Sequence, residues 1–197
     1  MKERHKPYLL LLFLAIFFSW SLDGCRPKHT IPKPRGYYRI DFPEKKYQSY
    51  LGECPYRFEF PTYGRVVKDQ DVLSEPCWIN IEFPDFDGII HISYKEVDQN
   101  LSAFLEDSHT LAYKHTVKAD AINETRISNA SKRVFGILYD IEGNTASSVQ
   151  FFLTDSTSHF LRGALYFETQ INKDSLLPVI MFFRDDVIHF INTFEWN

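Results

Sequence analysis

A chain of 197 residues with a formal net charge of −4 and 16 % aromatic residues holds enough apolar material for one domain with a substantial core, and hardly enough for two. The mildly acidic balance, with no basic stripe, argues against nucleic acid as a partner. The aromatic content argues against disorder and suits a β-rich interior.

Lys2, Arg4 and Lys6 precede Tyr8 to Trp20, thirteen residues without a charge. A bilayer span takes about 20 residues, so this run suits the hydrophobic region of an export signal. Leu22-Asp23-Gly24-Cys25 then resembles a bacterial lipobox, with an aliphatic residue three before the cysteine and a small one just before it. Asp23 departs from the small or aliphatic residue more common there. The thiol of Cys25 would carry diacylglycerol, and two or more acyl chains, palmitate among them, anchor stably where one does not. The alternatives are an uncleaved anchor helix and an incidental cysteine. The reading predicts a signal peptide over 1–24, a lipidated cysteine and tether over 25–36, and one domain over 37–197. Cleavage would leave 173 residues and take the charge from −4 to −5.

RPKHTIPKPRG, residues 26 to 36, holds three prolines and four Lys or Arg. It is a tether that cannot build a core, with a stretched reach of about 30 Å. YYRIDFPEKKYQSY follows as an extended arm or edge segment, since proline cannot donate to a ladder. Tyr56, Phe58 and Phe60 alternate with Arg57 and Glu59, the period of a half-buried strand. Trp78 to Phe83 and Ile89 to Val97 repeat it around the turn PDFDG and should pair as an antiparallel hairpin.

Cys54 and Cys77 each sit just before one of these strands. In an exported protein an even pair reads as a disulfide; the alternative is two buried free thiols. A metal needs three or four ligands, and no histidine stands at Cys-x-x-His spacing. Neither metal nor cofactor is expected.

Asn100 is a suitable N-cap for a helix whose stripe is Leu101, Phe104, Leu105, Ser108, Leu111, Ala112 and His115. A polar stretch runs from Asp120 to Lys132. Val134 to Ile141, Ser148 to Leu153 and Phe160 to Phe167 then read as a meander around EGNT and TDSTS. Asp174 should cap a last helix with Pro178 in its first turn. Ile180, Phe183, Val187, Phe190, Ile191 and Phe194 make its buried face. The order of strands, helix, β-meander and C-terminal helix predicts an α+β domain, an antiparallel β-sheet with two covering helices.

No GxSxG elbow, HExxH, P-loop or GxGxxG occurs, so no catalytic residue and no enzyme activity is expected. In LAYKHTVKADAINE, His115 and Lys118 lie one turn apart and form a candidate contact for an acidic or phosphate-bearing ligand. The bland alternative is a satisfied helix-face histidine beside lysines that favour a helix C-terminus. His91 shares its strand face with Ser93 and Lys95, opposite Ile90, Ile92 and Tyr94, and is either solvent-facing or under a helix. Arg184-Asp185-Asp186 reads as a solvated helix face. Asp185 and His189, four apart, are spaced to pair, while adjacent helical residues diverge by about 100° and make no carboxylate dyad. Phe151, Phe152, Phe182, Phe183, Phe190 and Phe194 read as core.

PKPRGYYRIDFPEKKYQ, CPYRFEFPTY, PCWINIEFPDFDG, IHISYKEV, AYKHTVKADAI and FFRDDVIHFINTFEW, in this order, resemble the gliding-motility lipoprotein GldD family of Bacteroidetes over almost the whole mature chain. The resemblance implies lipidation at Cys25, a place at the cell envelope, and a requirement in gliding with links to type IX secretion. It supplies no catalytic residues. The tether lacks the acidic cluster that exports lipoproteins to the surface of gliding bacteria, so by resemblance the domain faces the periplasm. The partners implied are membrane lipid through Cys25 and other envelope components of the machinery. The element order also resembles the PsbP/Mog1-like fold, which constrains architecture and says little of function. The alternative reading is a lipid-anchored factor that binds or assembles a small ligand or glycan, with a pocket near His91, His115 and Lys118.

Overall fold

The computed structural model describes residues 39–168 and 173–197; the residues read as signal peptide, lipidated cysteine and tether, 1–36, lie outside the described residues. Alternating apolar residues give β1 (Tyr47–Tyr50), β2 (Tyr56–Pro61), β3 (Arg65–Lys68), β4 (Ile79–Phe83) and β5 (Gly88–Glu96). After α1 (Leu101–Tyr113) come β6 (Ala119–Asn129), β7 (Val134–Gly143), β8 (Ser147–Thr154) and β9 (His159–Phe167). Helix α2 (Lys173–Thr193) and the short β10 (Glu195–Trp196) close the chain. A seven-stranded sheet runs β3-β4-β5-β9-β8-β7-β6, and a three-stranded one β1-β2-β10. Every pairing is antiparallel, which matches the α+β class read from the sequence.

The larger core lies on one face of the seven-stranded sheet. Ile90 and Ile92 of β5, Phe151 and Leu153 of β8 and Leu161 and Leu165 of β9 meet Phe183, Val187 and Phe190 of α2 there. Tyr56, Phe58 and Phe60 of β2 join the same cluster. Each such side chain taken from water contributes about 1.5 to 3 kcal/mol. A smaller cluster around Ala112, Tyr139, Phe152 and Phe160 lies on the opposite face, under α1. Gly163 of β9 makes room for the first core: a Cβ there would collide with the Phe151 ring.

The β4–β5 hairpin forms with Ile81 opposite Ile90. Three expectations need correction. The Asn100 side chain accepts from the Asp98 N–H at 2.9 Å and makes no capping bond to α1. His115 falls beyond α1 in the 3-10 turn Lys114–Val117. Helix α2 spans Lys173–Thr193, so Asp174 lies within it and not ahead of it. The polar stretch Asp120–Lys132 is largely strand β6, paired with β7 along most of its length. As the outer strand it has only one neighbour, so few of its side chains must be apolar.

The β8–β9 turn is held by Asp155, whose Oδ1 accepts the N–H groups of Thr157, Ser158 and His159 at 2.8 to 2.9 Å. Burial alone would raise its carboxyl pKa, but those backbone donors and the Thr157 hydroxyl outweigh it and hold it well below the usual carboxylate range. A depressed pKa gives stability that is complete above the unfolded value, about 3.9, and lost as pH falls toward the folded one. Asp155→Asn is expected to cost about 2 kcal/mol at neutral pH. In urea melts the gap from wild type should begin to narrow below about pH 4 and keep narrowing as pH falls toward the folded pKa.

Candidate functional site

The helical run FFRDDVIHF spends its charges on three different elements. The Arg184 guanidinium donates to both Asp140 carboxylate oxygens on β7, at 2.5 and 2.7 Å. Asp186 is 2 % exposed, and its Oδ1 accepts from Lys45 at 2.7 Å and the Tyr47 hydroxyl at 2.9 Å. Its Oδ2 accepts from the Tyr63 hydroxyl at 2.6 Å. The expectation of a solvated face therefore fails for Asp186, because residues 39–46 cross over that flank of α2. Phe42 stacks on Phe182 with centroids 4.4 Å apart. The Lys45 ammonium sits 3.7 Å from the centre of the same ring, a favourable cation–π placement.

His189 pairs with Glu59 of β2 at 2.8 Å instead of Asp185, and stacks on Tyr47 at 3.5 Å between centroids. The small sheet covers that side of the helix, so the long-range partner displaces the local one. Burial first, and then the Asp186 carboxylate, push the Tyr47 and Tyr63 hydroxyls well above their ordinary pKa. Both stay neutral donors, and the cluster acts as a clasp between the N-terminal arm and α2.

Cys54, ahead of β2, and Cys77, ahead of β4, are joined as a disulfide with Cα atoms 5.5 Å apart. Cys77 takes a left-handed backbone with φ 64°, and its carbonyl accepts the Tyr56 hydroxyl at 2.7 Å. The bridge ties the end of the loop over residues 69–78 to the start of β2, and the same loop also meets β5. There Trp78 donates its indole N–H to the Tyr94 carbonyl at 2.9 Å, while Lys95 pairs with Glu75.

Between this loop, α1, β5 and β9 lies an open cleft of about 450 Å3, bordered by Trp78, His91, Ser93, Phe104, Phe160 and Arg162. Asn80 turns Nδ2 toward Asp69 at 3.4 Å, leaving Oδ1 to accept from His91 Nδ1 at 2.8 Å. Burial, only partly countered by Asp69, lowers the His91 pKa. The ring is therefore neutral, with Nε2 free to accept. Arg162 donates to Gln150 Oε1 at 2.5 Å and lies against the Tyr166 hydroxyl and near Tyr139. No carboxylate pairs with it among the described residues, and burial pulls its pKa down.

Of the three residues picked out as ligand contacts, only His91 borders the cleft. His115 stands near Arg162; burial and then that positive charge lower its pKa. Lys118 contributes its backbone N–H to the His115 carbonyl at 2.9 Å and is not on the cleft wall. Sequence reasoning missed Arg162 and Trp78. The available signal was a charge inside the apolar run HFLRGALYF, at the position in register with Ser93.

Among the described residues these features define a disulfide-closed α+β domain of two antiparallel sheets and two α-helices, with a polar cleft on the α1 face. The chain belongs to the family described as "Gliding motility lipoprotein GldD", whose model matches residues 27–196. That description implies a cell-envelope setting and envelope partners. Among solved structures the chain is similar to the solution structure of cyanobacterial PsbP (CyanoP) from Synechocystis sp. PCC 6803. The identity is 13 %, with 83 % of this chain and 98 % of that chain covered and a TM-score of 0.48. No curated protein matches the chain. Among the described residues no helix is long and apolar enough to cross a membrane.

Proposed function

We propose that this chain is a non-enzymatic lipoprotein, anchored through acylated Cys25 and facing the periplasm, that supports gliding and the associated type IX secretion through protein contacts. The observation that carries this reading is the family match, which begins two residues after Cys25 and runs to the end of β10. The organisation proposed with it is a signal peptide over 1–24, an anchor and tether over 25–36 and a domain over 37–197. The polar side chains of α2 agree with a scaffold role. Arg184, Asp186 and His189 are each used to join elements.

Cys25→Ala is expected to abolish colony spreading while leaving the soluble domain folded. Cross-linked pull-down of the wild-type lipoprotein from membranes should recover other envelope components of the machinery. Recovery of none, from either wild type or Cys25→Ala, overturns the reading.

A second reading, an anchored factor that binds a small ligand or glycan, is favoured by one observation, the cleft at His91. If His115→Ala with Lys118→Ala leaves spreading intact, the pocket as first drawn from the sequence loses its basis. The cleft bordered by His91 and Arg162 is then the one to probe.

A further inference from the structure

The α1 face of the large sheet has a polar row that the scaffold role does not use. In register across the strands lie Asn80 of β4, His91 of β5, Ala164 of β9, Gln150 of β8 and Tyr139 of β7. Helix α1 covers one end of the row and leaves the cleft open at the other. We infer that this cleft binds an α-carboxylate that carries an N–H donor and an apolar side chain, with Arg162 taking the carboxylate. A free amino acid and the C-terminal residue of a polypeptide share that chemistry. The inference gives a ligand class to the second reading above and is independent of the role in gliding.

Around Arg162 the donors outnumber the acceptors. An arginine withdrawn from water is costly unless its charge is matched. Among the described residues Arg162 meets only neutral groups, Gln150 and Tyr166 among them, and five N–H donors exceed what those oxygens accept. Beside it Gln150 is 1 % exposed, and its Nε2 has no partner among the described residues. Arg162, half-buried on the cleft wall, and the buried Gln150 behind it thus both have donors to spare. A carboxylate fits the planar fork of a guanidinium best.

The mouth has the opposite character. Asp69, Asp71 and Asp107 border it, and His91 Nε2 adds an acceptor. Asp69 and Asp71 already accept loop amides, from Asp71 at 3.2 Å and Leu73 at 2.9 Å, so their positions are set by the loop. Lys95, the other base there, is matched by Glu75. Three carboxylates disfavour a polyanion such as phosphate and favour a ligand whose far end donates hydrogen bonds. The β4 side is two strands from β9, roughly 10 Å, about the length of three extended residues. The carboxylates there are thus in reach of a short peptide's upstream N–H groups, while the amine of a free amino acid would stay nearer His91. Trp78, Phe104 and Phe160 supply the apolar wall. A volume of about 450 Å3 lies within the usual range for small-ligand sites.

The test uses the full-length lipoprotein in detergent micelles, with the Trp78 indole N–H resonance, assigned by Trp78→Phe, as the reporter. Four probes are titrated to millimolar concentration: phenylalanine, phenylalaninamide, the peptide Gly-Gly-Gly-Phe and its C-terminal amide. At least one acid should shift the Trp78 signal and bind roughly tenfold or more tightly than its amide. Arg162→Gln should erase that preference. Ser93→Phe, which fills the cleft and keeps Arg162, should abolish binding; circular dichroism checks that both variants fold. Binding by the peptide acid alone assigns the site to a polypeptide terminus, and equal binding by phenylalanine assigns it to a free amino acid. Equal affinity for acid and amide, no Trp78 shift with any probe, or an unchanged preference in folded Arg162→Gln overturns the inference. None of these outcomes touches the Cys25 experiment, so the two readings fail separately.

Discussion

Asp186→Ala is expected to lower the stability of the domain by about 3 to 5 kcal/mol, the range for removing one partner of a buried ion pair. The carboxylate is 2 % exposed and holds three donors from the segment over residues 45–63. Its loss leaves the Lys45 ammonium, with a side chain 28 % exposed, over the Phe182 ring without a counter-charge. It also orphans two tyrosine hydroxyls that no longer have an acceptor, and each buried donor left unmet costs about 1 to 3 kcal/mol. Asp186→Asn keeps an acceptor oxygen and should cost less. Lys45→Met keeps the contact with Phe182 but leaves Asp186 buried and unpaired. If the clasp acts as a unit, the double variant Asp186→Ala with Lys45→Met will be more stable than the sum of the single losses predicts. Urea midpoints with unchanged m-values measure this. A loss below about 1 kcal/mol for Asp186→Ala, the level of an exposed ion pair, would show that the arm does not hold α2.

The strands were legible where burial on one face imposes a period of two. Tyr56, Phe58 and Phe60 alternate because only those side chains enter the core, and the β4–β5 hairpin follows from the same pattern around Pro84 and Gly88. The buried face of α2 was legible too: Ile180, Phe183, Val187, Phe190 and Ile191 all lie in the main core. The clasp left no local trace. Lys45 and Asp186 are 141 positions apart, and an aspartate on the far side of an amphipathic helix reads as solvated until a second layer covers it. The Asp185–His189 spacing was a true local opportunity, but Glu59 reached the imidazole from another sheet. Strand β6 hid for a related reason, since an edge strand needs little apolar character. At the cleft, the strand pattern placed His91 on the right face. The separation of His115 and Lys118 from it depended on where α1 ends, and element ends are poorly marked by periodicity.

Opening the disulfide in the double variant Cys54→Ser with Cys77→Ser is expected to cost about 3 kcal/mol, from the chain entropy released by a loop of this size. The sequence separation is 23, and the two strands it precedes belong to different sheets. The bridge therefore ties the small sheet to the large one at one end, as the Asp186 clasp ties the arm to α2 at another. Its loss should fall unevenly. Residues 69–78 hold few core side chains, and Val72 and Leu73 are 99 % and 80 % exposed. Without the bridge, that loop keeps the Asp69 contacts to Trp78 and Asn80 at its base and the Trp78–Tyr94 and Lys95–Glu75 links, and exposed ion pairs contribute little. Hydrogen exchange should therefore quicken first at the Trp78 indole and in 69–78, before β7, β8 and β9 respond, as expected for a unit of low local stability. The same loop forms one wall of the cleft, so any carboxylate preference at Arg162 should weaken in the double variant even at temperatures where the rest of the domain stays folded. Uniform acceleration across all strands would instead mean that the bridge stabilises the fold only globally, and that the cleft wall is held by packing alone.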